Sequence, residues 1–284
     1  QTLDLEQLGL DQPLYDALAA LLRERTGAIF LTGPSGSGKT TTIYACLRHL
    51  IAAGGRHIVT IEDPVEQVIE GASQAQARPG TDFDFARGLR SLLRQDPEVI
   101  MIGEVRDRET AAIAVEAALT GHLVFTTLHA GSACGVVGRL LDMGVEPYLL
   151  TSGIKAVLNQ RLVRRLCRVC GQPAMKHTPS WSPPGCERCG GTGFCGRMLL
   201  AELLVPDAAL RRAILGRSDT LTLEAAADRQ GRKSIWDAAR EAIEHGQTTY
   251  AEIERVLGPW PASVSANETS TGITADQTGT PHER

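Results

Sequence analysis

Between an apolar run and a helix-like stretch lie Gly33, Pro34, Ser35, Gly36, Ser37, Gly38, Lys39 and Thr40, with Thr41 following. The pattern is GxxxxGK[ST]. Residues this small let the main chain wrap its amide N–H groups around a phosphate, and the helix that starts there adds its own unpaired N–H groups and dipole. Lys39 is spaced to reach the β and γ phosphates, and the Thr40 hydroxyl to meet Mg²⁺. Residues 33–41 therefore read as a binding site for a nucleoside triphosphate, with Lys39 acting in catalysis as well.

Hydrolysis needs carboxylates near that loop. "IVTIEDPVE" ends one apolar run on Glu62 and Asp63, and "VIMIGEVRD" ends another on Gly103 and Glu104. If these runs are parallel strands, their carboxyl ends lie on the edge where ligands bind. Glu62 and Glu104 are then placed to handle Mg²⁺ and the attacking water. Gly103 occupies the place of the usual Walker B aspartate, so spacing alone leaves the division of labour open. In "TGHLVFTTLHAGSA", His122 precedes an apolar run and His129 follows it, so the two are expected at opposite ends of one strand. His129, with Thr126 and Thr127 close by, is the one expected near the γ-phosphate.

A second chemistry is written in cysteine. Cys167, Cys170, Cys186 and Cys189 form two CxxC pairs separated by residues 171–185, a spacing that reads as zinc ligation rather than as disulfides. Cys46, Cys134 and Cys195 stand alone.

The elements that must position these residues follow from pattern. Ala28 to Leu31, Ile58 to Ile61, Val99 to Ile102 and Leu123 to Thr127 are continuous apolar runs, as expected of strands buried on both faces. Between them, residues 39–52, 82–95 and 107–119 have helical apolar spacing. Strand and helix in alternation predict an α/β fold with a largely parallel sheet. Residues 131–166 read as helices packed through Leu140, Leu141, Leu149, Leu150, Ile154 and Leu158. "GRMLLAELL" reads as a strand, and short helices are expected near 207–215, 222–229, 234–244 and 249–257. From Pro259 the composition turns to Thr, Ser and Gly without periodicity, and residues 259–284 are expected to form a disordered tail.

With 284 residues, 43% of them hydrophobic, the chain is long enough for a substantial core. Its net charge of -4 shows no global basic field, and aromatic residues make up 4%, which leaves few stacking platforms for nucleic acid. No apolar stretch is long enough to span a membrane and no export leader is visible, so a cytosolic location is expected. The chain opens without Met and enters a helix within a dozen residues, which fits a piece of a longer protein with a domain upstream.

Four boxes in this order resemble the secretion ATPases of type II secretion systems and type IV pili, a RecA-like P-loop NTPase family. Residues 33–40 are its Walker A loop, "TIEDPVE" its aspartate box, "LLRQDPEVIMIGEVRD" its Walker B region and residues 120–133 its histidine box. The resemblance covers about residues 3–258. Flanking stretches such as "FARGLRSLLRQDP" and "QRLVRRLC" also match, and Gly103 agrees with the family pattern.

The resemblance implies a homohexameric ATPase that uses ATP and Mg²⁺. It implies that Glu62 activates the water while Glu104 supports Mg²⁺ with Thr40, and that Asp63, His122 and His129 are box residues. The implied partners are inner-membrane platform and linker proteins, the location is the cytoplasm at the inner membrane, and no nucleic acid is expected. The four cysteines resemble the Zn²⁺ element of secretion and pilus-extension ATPases, which pilus-retraction ATPases lack. Cys195 stands where relatives commonly carry another residue and is left out of the ligand set. Relatives also have an upstream domain that contributes arginines to the nucleotide. In this chain Arg78, Arg90, Arg94 and Arg106 are candidates for stabilising the transferred charge.

The expected organisation is an ATPase core over 1–166, a zinc-stapled protrusion over 167–197, a C-terminal helical subdomain over 198–258 and the tail. The expected function is assembly of a pseudopilus for type II secretion. Pilus extension, a nucleic-acid translocase and a non-hydrolysing nucleotide-binding scaffold are the alternatives. For the translocase, the basic run Arg161, Arg164, Arg165 and Arg168 is the relevant feature. It reads more readily as a subunit interface or a face toward acidic lipids, with a plain solvated face as the alternative.

Overall fold

A strand apolar at both odd and even positions must be covered on both sides, and the central strands of this chain are. The computed structural model describes residues 2–78, 80, 83–171, 183–229 and 231–261. Strand β1 (Gly27–Thr32) lies between β5 (Leu123–Thr127) and β6 (Ile154–Leu166). Outward from β5 come β4 (Val99–Ile102), β2 (Ile58–Glu62) and the edge strand β3 (Ala72–Gln76); outward from β6 comes β7 (Phe194–Leu204). The order is β3-β2-β4-β5-β1-β6-β7, parallel throughout except for the antiparallel β6–β7 pair.

The period-2 geometry of a strand divides each apolar run between two cores. Ala28, Phe30, Ile100 and Ile102 face one core, closed by α3 (Phe85–Leu92), α4 (Arg108–Leu119) and α5 (Ala133–Asp142). Ile29, Leu31, Val99 and Met101 face the other, closed by α1 (Gln12–Leu22), α2 (Lys39–Ala53) and a 3-10 turn at Leu5–Leu8. Phe30 and Phe125 are wholly buried, and burying a side chain of that size contributes about 1.5–3 kcal/mol. The loop leaving β1 is therefore anchored in the best-packed part of the molecule.

Helix α6 (Pro147–Gly153) leads into β6, and α7 (Ala208–Leu215), α8 (Thr220–Asp228), α9 (Ile235–Glu244) and α10 (Tyr250–Leu257) complete the chain. A third, smaller core forms where α9 and α10 cover the outer parts of β6 and β7, with Val163, Leu200, Ile235, Ala239 and Ile253 at its centre. Asp84, Asp107, Ser132, Asp207, Asp219, Ser234 and Thr249 each accept a hydrogen bond from the backbone N–H three residues on, which fixes where seven helices start.

Three elements differ from the sequence expectation. Residues 131–153 are helical, but 154–166 form the long strand β6. Leu158, Leu162 and Leu166 recur every four residues and mimic a helical stripe. The segment is nevertheless an interior strand whose residues 156–160 are all buried, because β1 and β7 flank it and both faces are covered there. Strand β3, "ASQAQ", was not anticipated: its residues are poor strand formers, and pairing with β2 over Ile58–Glu62 places it. The expected tail does not begin at Pro259. Trp260 stacks on Tyr250 and packs against Trp236, both at 5.1 Å between ring centroids, so the PWP stretch is held by aromatic burial. Residues 262–284 lie outside the described residues. The boundary expected at 197/198 falls inside β7.

Candidate functional site

The loop between β1 and α2 turns at Gly33, where φ is 141°; a Cβ there would sit 2.3 Å from the Gln160 carbonyl oxygen and 2.7 Å from Ser37 Oγ. Only glycine allows that approach. Gly38, left-handed at φ 91° and ψ 13°, caps α2 without a side-chain hydrogen bond, so the first N–H groups of that helix stay available. Lys39 folds back over the loop, and its Nζ donates to the carbonyls of Gly33 (2.9 Å) and Pro34 (3.0 Å). Burial, and then the neighbouring Arg161 charge, hold the Lys39 ammonium below its ordinary pKa. Ser37 Oγ is buried without a partner among the described residues. A loop with spare helix N–H groups, an orphaned hydroxyl and a destabilised cation is one that an anion completes.

Pro34, Ser35 and Gly36 are exposed at the loop crest, and Thr40 and Thr41 follow on the first turn of α2. Two cavities open beside them. One, of about 410 Å³, is walled by Thr40, Thr41, Tyr44, Arg48, Glu66 and Gln67. The other, of about 770 Å³, reaches from Gly38, Thr41 and Thr42 to the N-terminal turn and to Leu162, Arg165 and Arg197 of β6 and β7.

The carboxyl ends of β2, β4 and β5 converge on the same edge, as the sheet order requires. Glu62 is 2% exposed. Its carboxylate accepts from the Tyr44 hydroxyl, from Thr60 Oγ1 at 2.6 Å and from Gln74 Nε2 at 3.1 Å. Burial, with the Glu62 bond next, pushes the Tyr44 phenol well above its ordinary pKa, so its proton stays in that bond. Glu104 is more open, at 24% side-chain exposure; it pairs with Arg106 and lies 3.9 Å from His129 Nε2. Arg106 also reaches Asp63 at 3.8 Å, and so joins the ends of β2 and β4. Gly103 donates its N–H to the Ile61 carbonyl at 2.8 Å, and a Cβ on it would come within 3.3 Å of the Glu62 Cα. A side chain at this position would therefore press on the backbone of Glu62.

His122 does not join the cluster. It sits before β5, and its Nδ1 lies 2.9 Å from the Ala117 carbonyl at the end of α4. Thr127 Oγ1 donates to the Gly103 carbonyl at 2.7 Å, whereas Thr126 Oγ1 is buried without a partner among the described residues. Arg90 is held at the surface by Glu109 at 2.7 Å, outside the cluster.

The basic run of β6 separates in space. Arg161 lies against the phosphate loop, and Arg165 lines the larger cavity. Arg164 bonds Glu252 of α10 at 2.7 Å and covers the Phe194 ring at 4.2 Å. Sequence reasoning grouped these arginines as one surface and missed Arg161. Its place within an interior strand, just past the stretch that pairs with β1, could be recognised only once the segment was known to be a strand.

Cys167, Cys170, Cys186 and Cys189 bring their sulfurs within 4.8 Å of one another and form a group able to hold a metal ion. Cys167 and Cys186 are 3.9 Å apart, Cys170 and Cys189 3.8 Å, and Cys186 and Cys189 3.8 Å. The N–H groups of Cys186 and Gly193 donate to Cys189 Sγ at 3.1 and 3.2 Å. Burial opposes ionisation of that thiol, but these bonds prevail and bring it down to about 6. Cys195 is exposed and outside the group. Among the described residues no helix is long and apolar enough to cross a membrane.

A family model described as "Type II/IV secretion system protein" matches residues 1–255. Over 268 residues the chain is 46% identical to type II secretion system protein E of Aeromonas hydrophila, covering 89% of this chain and 53% of that one. It is 48% identical over 255 residues to the type II secretion system protein HxcR of Pseudomonas aeruginosa, with the same 89% and 53% coverage. The chain thus spans about half the length of the curated relatives it matches. Among solved structures, the pilus retraction motor PilT with bound ADP superposes with a TM-score of 0.73 at 29% identity, covering 94% of this chain and 70% of that one.

Proposed function

The chain belongs to the type II/IV secretion system protein family, and we propose that it is the ATP-hydrolysing motor portion of a protein that drives assembly of a type II secretion pseudopilus. The observation that carries this reading is the convergence of Glu62, Glu104 and His129 on the sheet edge that bears the Lys39 loop.

In the proposed reaction the amides of Gly33 to Gly38 and the first turn of α2, through Lys39, Thr40 and Thr41, hold the triphosphate of ATP. Lys39 exchanges its two carbonyl partners for phosphate oxygens. Thr40 and Glu104 are the residues that would hold Mg²⁺, which would supply charge neutralisation at the phosphates. Glu62 takes the proton of the attacking water. To do so it must release part of its carboxylate from Tyr44 or Gln74, which makes water activation depend on a rearrangement around β2 and β3. His129, beside Glu104, reports the γ-phosphate, and Arg106 keeps Glu104 aligned with Asp63.

Zn²⁺ is the proposed ion at the cysteines. Four thiolates at about 2.3 Å from a tetrahedral zinc stand about 3.8 Å apart, which matches the sulfur separations of 3.8–3.9 Å. The proposed organisation is a RecA-like core over 1–166, the zinc element over 167–197 and a helical subdomain over 198–258. The proposed assembly is a homohexamer in the cytoplasm at the inner membrane, joined to platform and linker proteins. Pilus extension is the neighbouring alternative. Dispersal of the arginines of β6 onto the phosphate loop, Glu252 and a cavity speaks against a nucleic-acid track.

The test is Mg²⁺-dependent ATP hydrolysis, measured together with mass in solution, by the complete protein and by its Lys39→Ala and Glu104→Ala variants. Each substitution is expected to cut turnover by about 10²–10³. Unchanged turnover in both variants overturns the ATPase reading.

A further inference from the structure

Arg161 lies two residues past Asn159, which pairs with Thr32 at the end of β1, so it stands beyond that strand and beside the phosphate loop. Its Nη1 donates to Asn159 Oδ1 at 2.6 Å and to the Gln160 carbonyl at 3.0 Å. Its Nη2 reaches the Gly131 carbonyl at 3.0 Å. Gly131 belongs to the loop between β5 and α5, two residues after His129. The guanidinium thus bridges from β6 past β1 to the loop of β5, a span of two strand spacings, or roughly 10 Å. Along the way it touches the phosphate loop: Nη1 would lie 3.2 Å from a Cβ on Gly33.

The same two residues of β6 extend the bridge in both directions. Gln160 Nε2 donates to the Ser37 carbonyl and to Thr42 Oγ1, each at 3.1 Å, and so grips the phosphate loop and the start of α2. Asn159 Nδ2 donates to the buried Glu202 at 2.9 Å, and the other Glu202 oxygen accepts from the Ile235 N–H at 2.9 Å, at the start of α9. The acceptors of Arg161 are one carboxamide and two carbonyls, and no carboxylate accepts from it directly. Three acceptors shared between two nitrogens suit a guanidinium fork better than an ammonium.

We propose that Arg161 is a positioning residue for the hydrolytic step: by tying β6, whose Gln160 grips the phosphate loop, to the loop that carries His129, it fixes the gap in which the γ-phosphate is cleaved. This rests on the ATPase reading above. Lys39 and the loop amides hold ATP without Arg161, but the opposite wall of the site shifts when the bridge is cut. A displacement of about 1 Å in a catalytic group can cost about a hundredfold in rate.

The experiment compares Arg161→Lys and Arg161→Gln with the unaltered complete protein. It reads the maximal rate of phosphate release and, separately, affinity for a fluorescent ATP analogue. Both variants are expected to lose about tenfold to a hundredfold in kcat while affinity stays within about threefold, a loss confined to the transition state. Unchanged kcat overturns the proposal, as does full turnover in Arg161→Lys, which would show that charge alone suffices. A loss of affinity in step with kcat also overturns it, by making Arg161 a direct phosphate ligand. Arg161→Lys keeps the volume and charge of the site, so the question stays answerable if Arg161→Gln does not fold. Lys39→Ala, run alongside, separates the two readings: turnover that survives it removes the ATPase reading itself.

Discussion

The phosphate loop and the four-cysteine knuckle are both short motifs of fixed spacing, yet they are held in opposite ways. The loop leaves β1 after Thr32, behind the buried Phe30 and Leu31, and rests on Gln160 and Arg161 of the next strand. Its support comes from the protein's own strands. Among the described residues around the knuckle, Val169 is 62% exposed, Cys195 is exposed, and of the four clustered cysteines only Cys167 and Cys189 are buried. One site is braced by the sheet; the other, on the proposed reading, is braced by its ion.

The sharpest way to break that contrast is to remove a sulfur. Cys189→Ser is expected to abolish metal content and to open residues 167–193 to protease, because metal binding of this kind supplies about 10–16 kcal/mol of folding free energy in isolated zinc modules. Affinity of the phosphate loop for ATP should change by no more than about twofold, as for distant independent sites. Loss of nucleotide binding together with the metal would show that the loop is not self-supporting.

A smaller effect is expected at the base of the knuckle. The Glu252 carboxylate, fully buried, accepts from the Arg164 N–H at 2.9 Å and from the Arg164 and Arg255 side chains at 2.7 and 2.6 Å. Glu252→Gln should cost about 1–3 kcal/mol. Burial raises the carboxyl pKa, but Arg255 and Arg164 outweigh it and hold the group down to about 2, against an ordinary 4.5. Its contribution is therefore complete above about pH 4.5 and disappears as pH falls towards 2. The unfolding midpoint of the unaltered protein should drop more steeply than that of the variant over this window. Parallel curves would assign the clamp to packing alone.

The smallest effect belongs to the nucleotide half. Arg90 and its partner Glu109 are 50% and 59% exposed, so Arg90→Ala should change stability by no more than about 0.5 kcal/mol. Turnover should be unaffected, and a measured loss would bring α3 into the site after all.

The same contrast explains what the sequence disclosed. Motifs whose spacing is dictated by a ligand were legible: GPSGSGKT, the two CxxC pairs, and the carboxylates that end β2 and β4. The four strands buried on both faces were legible too, since double coverage leaves an unbroken apolar run. What failed were elements defined by their neighbours. Strand β3 has no strand-forming residues and exists because β2 offers it an edge. Strand β6 carries a four-residue leucine repeat that resembles a helix, and only its place between β1 and β7 reveals otherwise. Arg161 was hidden by that error, because its role comes from tertiary placement and not from its neighbours in sequence. Glu62 was expected at the end of its strand, but the three donors that enclose it were not: Tyr44 and Gln74 come from elements 18 and 12 residues away.

Strand β6 also governs how such a chain can change length. Five residues separate Arg161, at the phosphate loop, from Cys167, at the cysteine cluster, about 20 Å of extended chain. Deleting or inserting one residue there would turn every later side chain to the opposite face. Arg164 would lose Glu252 and Cys167 would leave the cluster. Arg161 and the first cysteine pair must therefore stay in phase along β6, and the chain cannot change length between them without losing one or the other.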